Sequence, residues 1–162
     1  MNCAYLGVTL QSDCKFSSHV KVKLVKANKC LHILRTLRKE QFDQNEIDLL
    51  FKTIVLPNLT YGLSVYGTYE PDLNTVENSV NRCYKRCYIS VPLNVKDIMY
   101  AQDKTLFNKA RALSHHPLNE ILPKPKPQQY NLRRKVCLRP KINAERFKNT
   151  FVNRLIFEYN LL

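Results

Sequence analysis

Cysteine and histidine are the residue types best suited to hold a metal ion, and two of each stand close together in this sequence. Cys83 and Cys87 are four positions apart, and His115 and His116 are adjacent. Structural zinc sites use close ligand pairs such as CxxC or HxxxH, a spacing that is missing here, and adjacent histidines point apart. Both cysteines also extend an apolar repeat at positions 73–80, where free cysteine packs as a small apolar side chain. The spacing therefore predicts packing residues and no metal site.

The acidic residues are the next candidates for catalytic groups. Asp43, Glu46 and Asp48 cluster, but they fall in the first turn of a predicted helix, where the helix dipole favours carboxylates. Two-metal nucleotidyl transfer needs several carboxylates that converge on Mg²⁺, and no close acidic pair on a strand hairpin is found in this sequence. Three glycines are too few for a phosphate-cradling loop. We therefore expect no catalytic site and no cofactor in this chain by itself.

Basic residues give the strongest functional signal. The sequence has 26 Lys and Arg against 13 Asp and Glu, a formal net charge of +13. An excess of this size is typical of proteins that bind polyanions. For any single lysine a solvated helix surface is the simpler explanation, whereas the set as a whole favours binding. The candidate nucleic-acid-binding residues are Lys21, Lys26, Lys29, Arg35, Arg38, Lys39, Arg82, Lys85, Arg86, Arg133, Arg134, Lys135 and Arg139.

The expected contacts of these cations are phosphate groups. Lys and Arg on the outer faces of helices suit a phosphate backbone, which positions a duplex without reading its sequence. Tyr130, Phe147 and Phe151 interleave with the charges near the C-terminus. The predicted partner is RNA, DNA or a hybrid duplex, bound without sequence preference, and these three stay open.

Three apolar stripes predict three helices that would position the cations, over residues 18–40, 44–66 and 71–88. Gly67 is a plausible stop for the second helix, and Pro71 suits the first turn of the third. The residues expected to meet between these helices are Leu24, Leu31, Phe51, Ile54, Val76 and Val80.

Local signals also mark the helix starts. Ser17 or Ser18 can cap the first helix, and Asp43 with Glu46 forms a capping-box pair for the second. Pro57 is expected to kink the second helix because it frees a carbonyl one turn earlier.

The two ends of the chain differ from this helical middle. Alternating residues 5–10 predict a short strand, and no second convincing alternating run follows, so the strand lacks an obvious partner in the chain. One or two helices are predicted between residues 95 and 113. An extended Pro/Lys linker begins at 123–127, followed by a basic tail and a last helix at 150–160.

Length and composition limit the class of protein. The 162 residues suit one domain with a tail, and we predict a mainly α-helical bundle with a short N-terminal β-strand and an extended basic C-terminal tail. No apolar run approaches the ~20 residues of a membrane span, and the N-terminus lacks the pattern of a secretory signal. Six irregularly spaced cysteines indicate reduced thiols, so the expected location is intracellular, nuclear or cytoplasmic.

The order of motifs resembles the C-terminal part of reverse transcriptases from non-LTR retrotransposons, in particular jockey-like elements. The strand that closes their palm is similar to YLGVTLQSDCKFSSHV, and their next helix is similar to LFKTIVLPNLTYGLSVYG. The helix after that resembles DLNTVENSVNRCYKRC. Two further stretches, HHPLNEILP and ERFKNTFVNRLIFEYNLL, resemble the family's HPLxxLLP and its closing motif, with Tyr159 where tryptophan is usual.

The resemblance implies a fold and a role. Residues 1–16 would be the last palm-like strand and turn, 17–122 a helical thumb-like domain, and 123–162 the linker, basic tail and terminal helix. In the family, the preceding palm carries the catalytic aspartates in a (Y/F)xDD hairpin and uses Mg²⁺, and this hairpin is absent from the sequence. The chain is therefore expected to be a non-catalytic fragment that grips the backbone of the primer–template duplex, with the missing palm as a further partner.

Two other classes of function are compatible with a basic helical chain of this kind to different degrees. The main alternative is a helical protein-interaction scaffold derived from a mobile element. An enzyme acting alone would need a convergent acidic or nucleophilic site, which the sequence does not suggest. Leu6, Val8 and Leu10 bear on the choice, because an orphan strand left exposed invites pairing and aggregation.

Overall fold

A computed structural model describes residues 2–13, 15–67, 69–122 and 140–159 of the chain. The described part is mainly helical and has a short N-terminal sheet, as predicted. It forms two compact units, residues 1–99 and 100–162. The linker predicted at 123–127 lies outside the described residues.

The N-terminal sheet is a β-hairpin made of β1 (Asn2–Tyr5) and β2 (Val8–Gln11). The strands are antiparallel, with Tyr5 opposite Val8 next to the turn. Leu6 and Gly7 both have positive φ, 47° and 78°, as a type I′ turn requires. The prediction of one unpaired strand over residues 5–10 is therefore wrong. Its alternating pattern runs straight through the turn, which concealed the reversal and the partner strand in the first residues.

The first predicted helix is confirmed as α1 (Ser17–Lys39). Val20, Ala27 and Leu34 are buried along it, at seven-residue intervals that keep one helix face against the core. Leu24 and Leu31 are partly buried and pack against the same core.

Neither predicted serine caps the start of α1 through its side chain. The Ser18 N–H donates instead to the Gln11 side chain, at 2.9 Å. The Ser17 hydroxyl donates to Asp72, also at 2.9 Å. The start of α1 is thereby tied to the hairpin on one side and to a later helix on the other.

The second predicted helix is interrupted. It consists of α2 (Gln44–Leu50), a π-helical turn (Phe51–Val55), α3 (Leu56–Thr60) and α4 (Leu63–Tyr66). The Asp43–Glu46 capping box at its start and the stop at Gly67 are confirmed.

Pro57 lies in the first turn of α3, directly after the π-helical turn. Because Pro57 has no N–H, a regular helix would leave a carbonyl unpaired one turn earlier. The Leu56 N–H donates to the Phe51 carbonyl, five residues back, and the Asn58 side chain donates to the Ile54 carbonyl at 2.8 Å. Gly62, with φ of 75°, then ends α3 and redirects the chain into α4.

The third predicted helix is α5 (Glu70–Lys85), with Pro71 in its first turn as predicted. Val76, Val80 and Cys83 are buried on its inner face. Cys87 lies beyond the helix with φ of 55° and is exposed, so the prediction that it packs in the interior is wrong. The helix ends before the apolar repeat does.

The core of the first unit joins α1, the segments from α2 to α4, and α5. Most of the predicted contact residues lie in or against this core, but Ile54 is 36% exposed and that prediction is wrong. The π-helical turn rotates Ile54 away from the position that a regular helix would give it. The fully buried large side chains here include Phe51, Leu59, Leu63 and Tyr66.

The remaining helices are α6 (Val95–Ala112), α7 (Leu118–Ile121), α8 (Glu145–Lys148) and α9 (Phe151–Phe157). The Val95 N–H at the start of α6 donates to Glu77 at 2.7 Å. The predicted last helix at 150–160 is confirmed in its central part as α9. None of the described helices is long and apolar enough to cross a membrane.

Candidate nucleic-acid interface

Helix α1 carries six of the predicted cations, and all six are exposed. Because successive residues in a helix are about 100° apart, cations next to the buried positions flank the inner face and the others lie on the outer side. The six are Lys21, Lys26, Lys29, Arg35, Arg38 and Lys39.

The C-terminal ends of α1 and α5 meet at a group of cations. The Arg38 guanidinium donates a hydrogen bond from Nη1 to the backbone carbonyl of Arg86, just after α5. Arg82 and Lys85 are exposed in the last turn of α5. We name the group formed by Arg38, Lys39, Arg82, Lys85 and Arg86 the cationic junction.

Helix ends account for part of this arrangement. The unpaired carbonyls at a helix C-terminus favour cations, so Arg82 and Lys85 stabilise α5 whether or not a ligand binds. This effect of a single helix end does not explain why the end of α1, with Arg38 and Lys39, lies next to the end of α5.

Carboxylates do not neutralise the junction in the described part of the chain. The ion pairs found there join Lys15 to Asp13, Lys96 to Glu70, and Arg154 to Asp103. None of these pairs includes a cation of α1 or of the junction. The described candidate cations are thus open to an anionic ligand. Arg133, Arg134, Lys135 and Arg139 lie outside the described residues and stay predictions.

Sequence analysis missed Lys23, which faces a groove between the hairpin turn, α1 and the segment from the π-helical turn to Tyr61. Its ammonium lies 4.5 Å from the centre of the Tyr61 ring. Burial lowers the pKa of Lys23, and the nearby charge of Lys26 lowers it further. The missed signal is position: Lys23 lies three residues after Val20 and four before Ala27, on the edge of the apolar stripe.

Sequence analysis also missed the structural role of His19. This side chain is 1% exposed, and its Nδ1 accepts a hydrogen bond from the Thr9 N–H at 3.2 Å. Its ring lies against Tyr66, with the ring centres 5.3 Å apart. Burial lowers the pKa of His19, and Lys23 and Lys26 lower it further. The neutral imidazole therefore holds the hairpin on α1.

The second unit contains a buried ion pair that no local motif announced. Arg154 on α9 contacts Asp103 on α6 through both Nε and Nη2, each at 2.9 Å from Oδ2, and both side chains are almost fully buried. The Tyr159 hydroxyl donates to the same oxygen at 3.2 Å, and burial, with the Asp103 charge second, raises the pKa of Tyr159 to about 12. These contacts fix α9 on α6.

The cysteines and histidines are not gathered into a metal site within the described residues. Cys83 is buried, and burial raises the pKa of its thiol, whereas Cys87 is exposed. His116 accepts a hydrogen bond from the Leu118 N–H through Nδ1.

The acidic cluster of Asp43, Glu46 and Asp48 does not fit a Mg²⁺ ion such as a polymerase would use. Asp43 and Glu46 are held in their capping box. Asp48 accepts hydrogen bonds from the Ser90 N–H at 3.0 Å and from Gln44 at 2.9 Å. Burial pushes the pKa of Asp48 upward, but a hydrogen bond from the Ser90 hydroxyl, together with these two, outweighs it, so the pKa lies below its ordinary value. These carboxylates bind their own backbone and neighbours.

Comparison with known proteins gives no relative: no family model, curated protein or solved structure matches the chain.

Proposed function

We propose that this protein binds the phosphate backbone of nucleic acid without reading its sequence, in the way that the thumb of a reverse transcriptase grips a primer–template duplex. The observation that carries the proposal is the cationic junction, where Arg38 at the end of α1 contacts the backbone of Arg86 at the end of α5. This contact holds the two helix ends together, so that their cations lie close to one another.

The physical basis is electrostatic. Lys and Arg side chains that neutralise phosphates release counterions, and this term supplies most of the affinity of non-specific binding. The junction and the outer face of α1 present flexible cations without a base-reading element, and the net charge of +13 strengthens attraction to any polyanion. Backbone contacts of this kind position a duplex and carry no base information.

The resemblance to non-LTR retrotransposon reverse transcriptases supports the same role. On this proposal, residues 17–122 act as the thumb-like part, and catalysis would belong to a palm that supplies the Mg²⁺-binding aspartates. This chain then grips RNA, DNA or hybrid duplex and performs no nucleotidyl transfer itself. Primer extension with Mg²⁺ and nucleotides is expected to stay at background, and measurable extension by the purified chain would refute the non-catalytic assignment.

A charge-matched pair of variants tests the binding surface. The junction variant Arg82→Gln/Lys85→Gln/Arg86→Gln and the control Lys104→Gln/Lys109→Gln/Arg111→Gln each remove three exposed cations. In fluorescence anisotropy with a blunt duplex at fixed salt, the junction variant should bind at least about tenfold more weakly, because three phosphate contacts are lost. The control should bind within about threefold of the original chain, since only its net charge changes. If both variants lose the same amount of affinity, net charge alone drives binding, and the cationic junction is not the binding surface.

One observation favours the alternative of a helical protein-interaction scaffold. Tyr5, Leu6 and Leu10 of the hairpin are 66%, 74% and 40% exposed, which leaves apolar surface available to a protein partner. The two functions differ in one outcome: a scaffold with no nucleic-acid role would show no salt-dependent duplex binding at micromolar concentrations.

A further inference from the structure

The groove at Lys23 suggests a more specific ligand than duplex backbone alone. It lies between the hairpin turn, α1 and the π-helical turn, and its volume of about 520 Å³ falls in the range of small-molecule sites. Its lining combines one cation with apolar and amide groups and includes no carboxylate. A ligand that fits has a negative charge and a flat, partly apolar body.

The cation is held in place within this groove. The Tyr61 hydroxyl donates to the Leu6 carbonyl at 2.7 Å, which fixes the ring, and the Lys23 ammonium lies over that ring. A Cβ added at Gly7 would come within 3.3 Å of Tyr61, so the hairpin turn approaches the ring closely. Lys23 is partly buried, and no carboxylate in the described ranges pairs with it. A bound anion would compensate the charge that burial disfavours.

The opposite wall offers groups for a base. Ile54 and Pro57 present apolar surface, and Ile54 belongs to the π-helical turn, a feature often found at functional sites. Asn58 donates from Nδ2 to the Ile54 carbonyl, which leaves its Oδ1 as an acceptor for an amino group of a base.

We propose that this groove binds one unpaired nucleotide of a nucleic-acid strand, with a phosphate at Lys23 and the base against Ile54 and Pro57. The inference rests on the proposed nucleic-acid binding and adds to it a preference for single-stranded tails. Proteins that bind single strands combine a cationic groove with side chains, mostly aromatic, on which bases stack. In this groove Lys23 supplies the charge, and the apolar surface of Ile54 and Pro57 takes the place of the aromatic ring. The cations of α1, including Lys26 one turn away, lead from the groove along the helix.

The test compares a blunt duplex with the same duplex carrying a three-nucleotide single-stranded tail. We expect the chain to bind the tailed duplex about fivefold or more tightly, the contribution of one packed base. Lys23→Met should remove this preference and leave blunt-duplex binding within about twofold, and Lys23→Arg should retain most of the preference because the charge is kept. The matched control Lys104→Met removes an exposed cation outside α1 and should retain the preference.

The outcomes separate the inference from the function on which it rests. If the chain binds blunt duplex in a salt-dependent way but shows no preference for the tailed duplex, the proposed nucleotide site in the groove is wrong and the proposed function still holds. If the Lys23→Met variant keeps the preference for the tailed duplex, the proposed nucleotide site in the groove is also wrong. A tail of abasic phosphodiester units should give a weaker preference than the nucleotide tail, because only the phosphate contact at Lys23 remains. If it binds as well as the nucleotide tail, the base does not occupy the groove and the proposal is wrong. Absence of binding to every nucleic acid would refute both.

Discussion

At the residue scale, His19 determines how the hairpin is held. Its Nδ1 accepts the Thr9 N–H, so protonation of that nitrogen would remove the hydrogen bond and place a charge in a buried site. The surroundings disfavour this charge further, because the positive charges of Lys23 and Lys26 act against it and only the backbone of Tyr61 favours protonation.

The lowered pKa of His19 predicts a pH dependence of stability. The unfolded chain takes up a proton near the ordinary value of 6.5, whereas folded His19 takes it up only at lower pH. The unfolded state therefore binds more protons below about pH 6.5, and the free energy of unfolding should fall as the pH decreases from 7.5 to 5. Urea unfolding at several pH values measures this. His19→Asn should weaken the dependence, and the exposed control His32→Asn should not. An equal dependence in chains with and without His19 would contradict the assignment.

The buried pair of Arg154 and Asp103 makes a second residue-scale prediction. Arg154→Met leaves the Asp103 carboxylate buried without its main partner, which typically costs about 3–5 kcal/mol of unfolding free energy. The double variant Asp103→Leu/Arg154→Met should recover much of this loss because no unpaired charge remains. Lys96→Met breaks the exposed pair with Glu70 and should cost no more than about 1 kcal/mol. Denaturant unfolding checks all three, and similar losses for Arg154→Met and Lys96→Met would contradict the role assigned to burial.

Sequence reasoning at this scale succeeds only where a pattern is local. Cys83 follows the apolar repeat and is buried, whereas Cys87 follows the same repeat and is exposed because the helix ends before it. The partners Asp103 and Arg154 are 51 positions apart, and each reads as an isolated charge in the sequence. No spacing rule connects such residues, so only the folded chain reveals the pair.

At the element scale, regular helices were predictable and the interruptions were not. Helices α1 and α5 each carry a sustained apolar stripe, and α2 begins at a capping box readable from Asp43 and Glu46. The break at residues 51–62 involves a hydrogen bond from the Asn58 side chain to the Ile54 carbonyl and a positive φ at Gly62, and no spacing rule predicts either. The hairpin was missed because Leu6 adopts a positive φ that the sequence pattern assigns to extended backbone.

The turn at Gly62 gives the element-scale prediction. Its φ is 75°, and an added Cβ would lie 3.1 Å from Val8, so both the backbone and the neighbouring hairpin resist a side chain. Gly62→Ala should therefore lower the unfolding free energy by about 1–2 kcal/mol. The exposed α5 position Asn78 provides the control, since Asn78→Ala should change stability by less than about 0.5 kcal/mol. A Gly62→Ala chain as stable as the control would show that this turn is not strained.

At the scale of the whole molecule, charge was the most informative property of the sequence. Its excess of cations predicted a polyanion partner, and the described members of the predicted set are all exposed. What the sequence could not predict is which cations come together, because the cationic junction depends on how α1 packs beside α5. The groove at Lys23 was hidden for the same reason, since it is formed by residues from three separate segments.

The salt dependence of duplex binding is the most direct test of whether the protein binds the phosphate backbone of nucleic acid. If about six phosphates are neutralised, the affinity should fall roughly a thousandfold between ~50 and ~200 mM salt. Duplexes of unrelated sequence should show the same dependence of affinity on salt concentration, because backbone contacts do not distinguish bases. An affinity that is independent of salt, or a strong preference for one sequence, would contradict backbone binding by this protein.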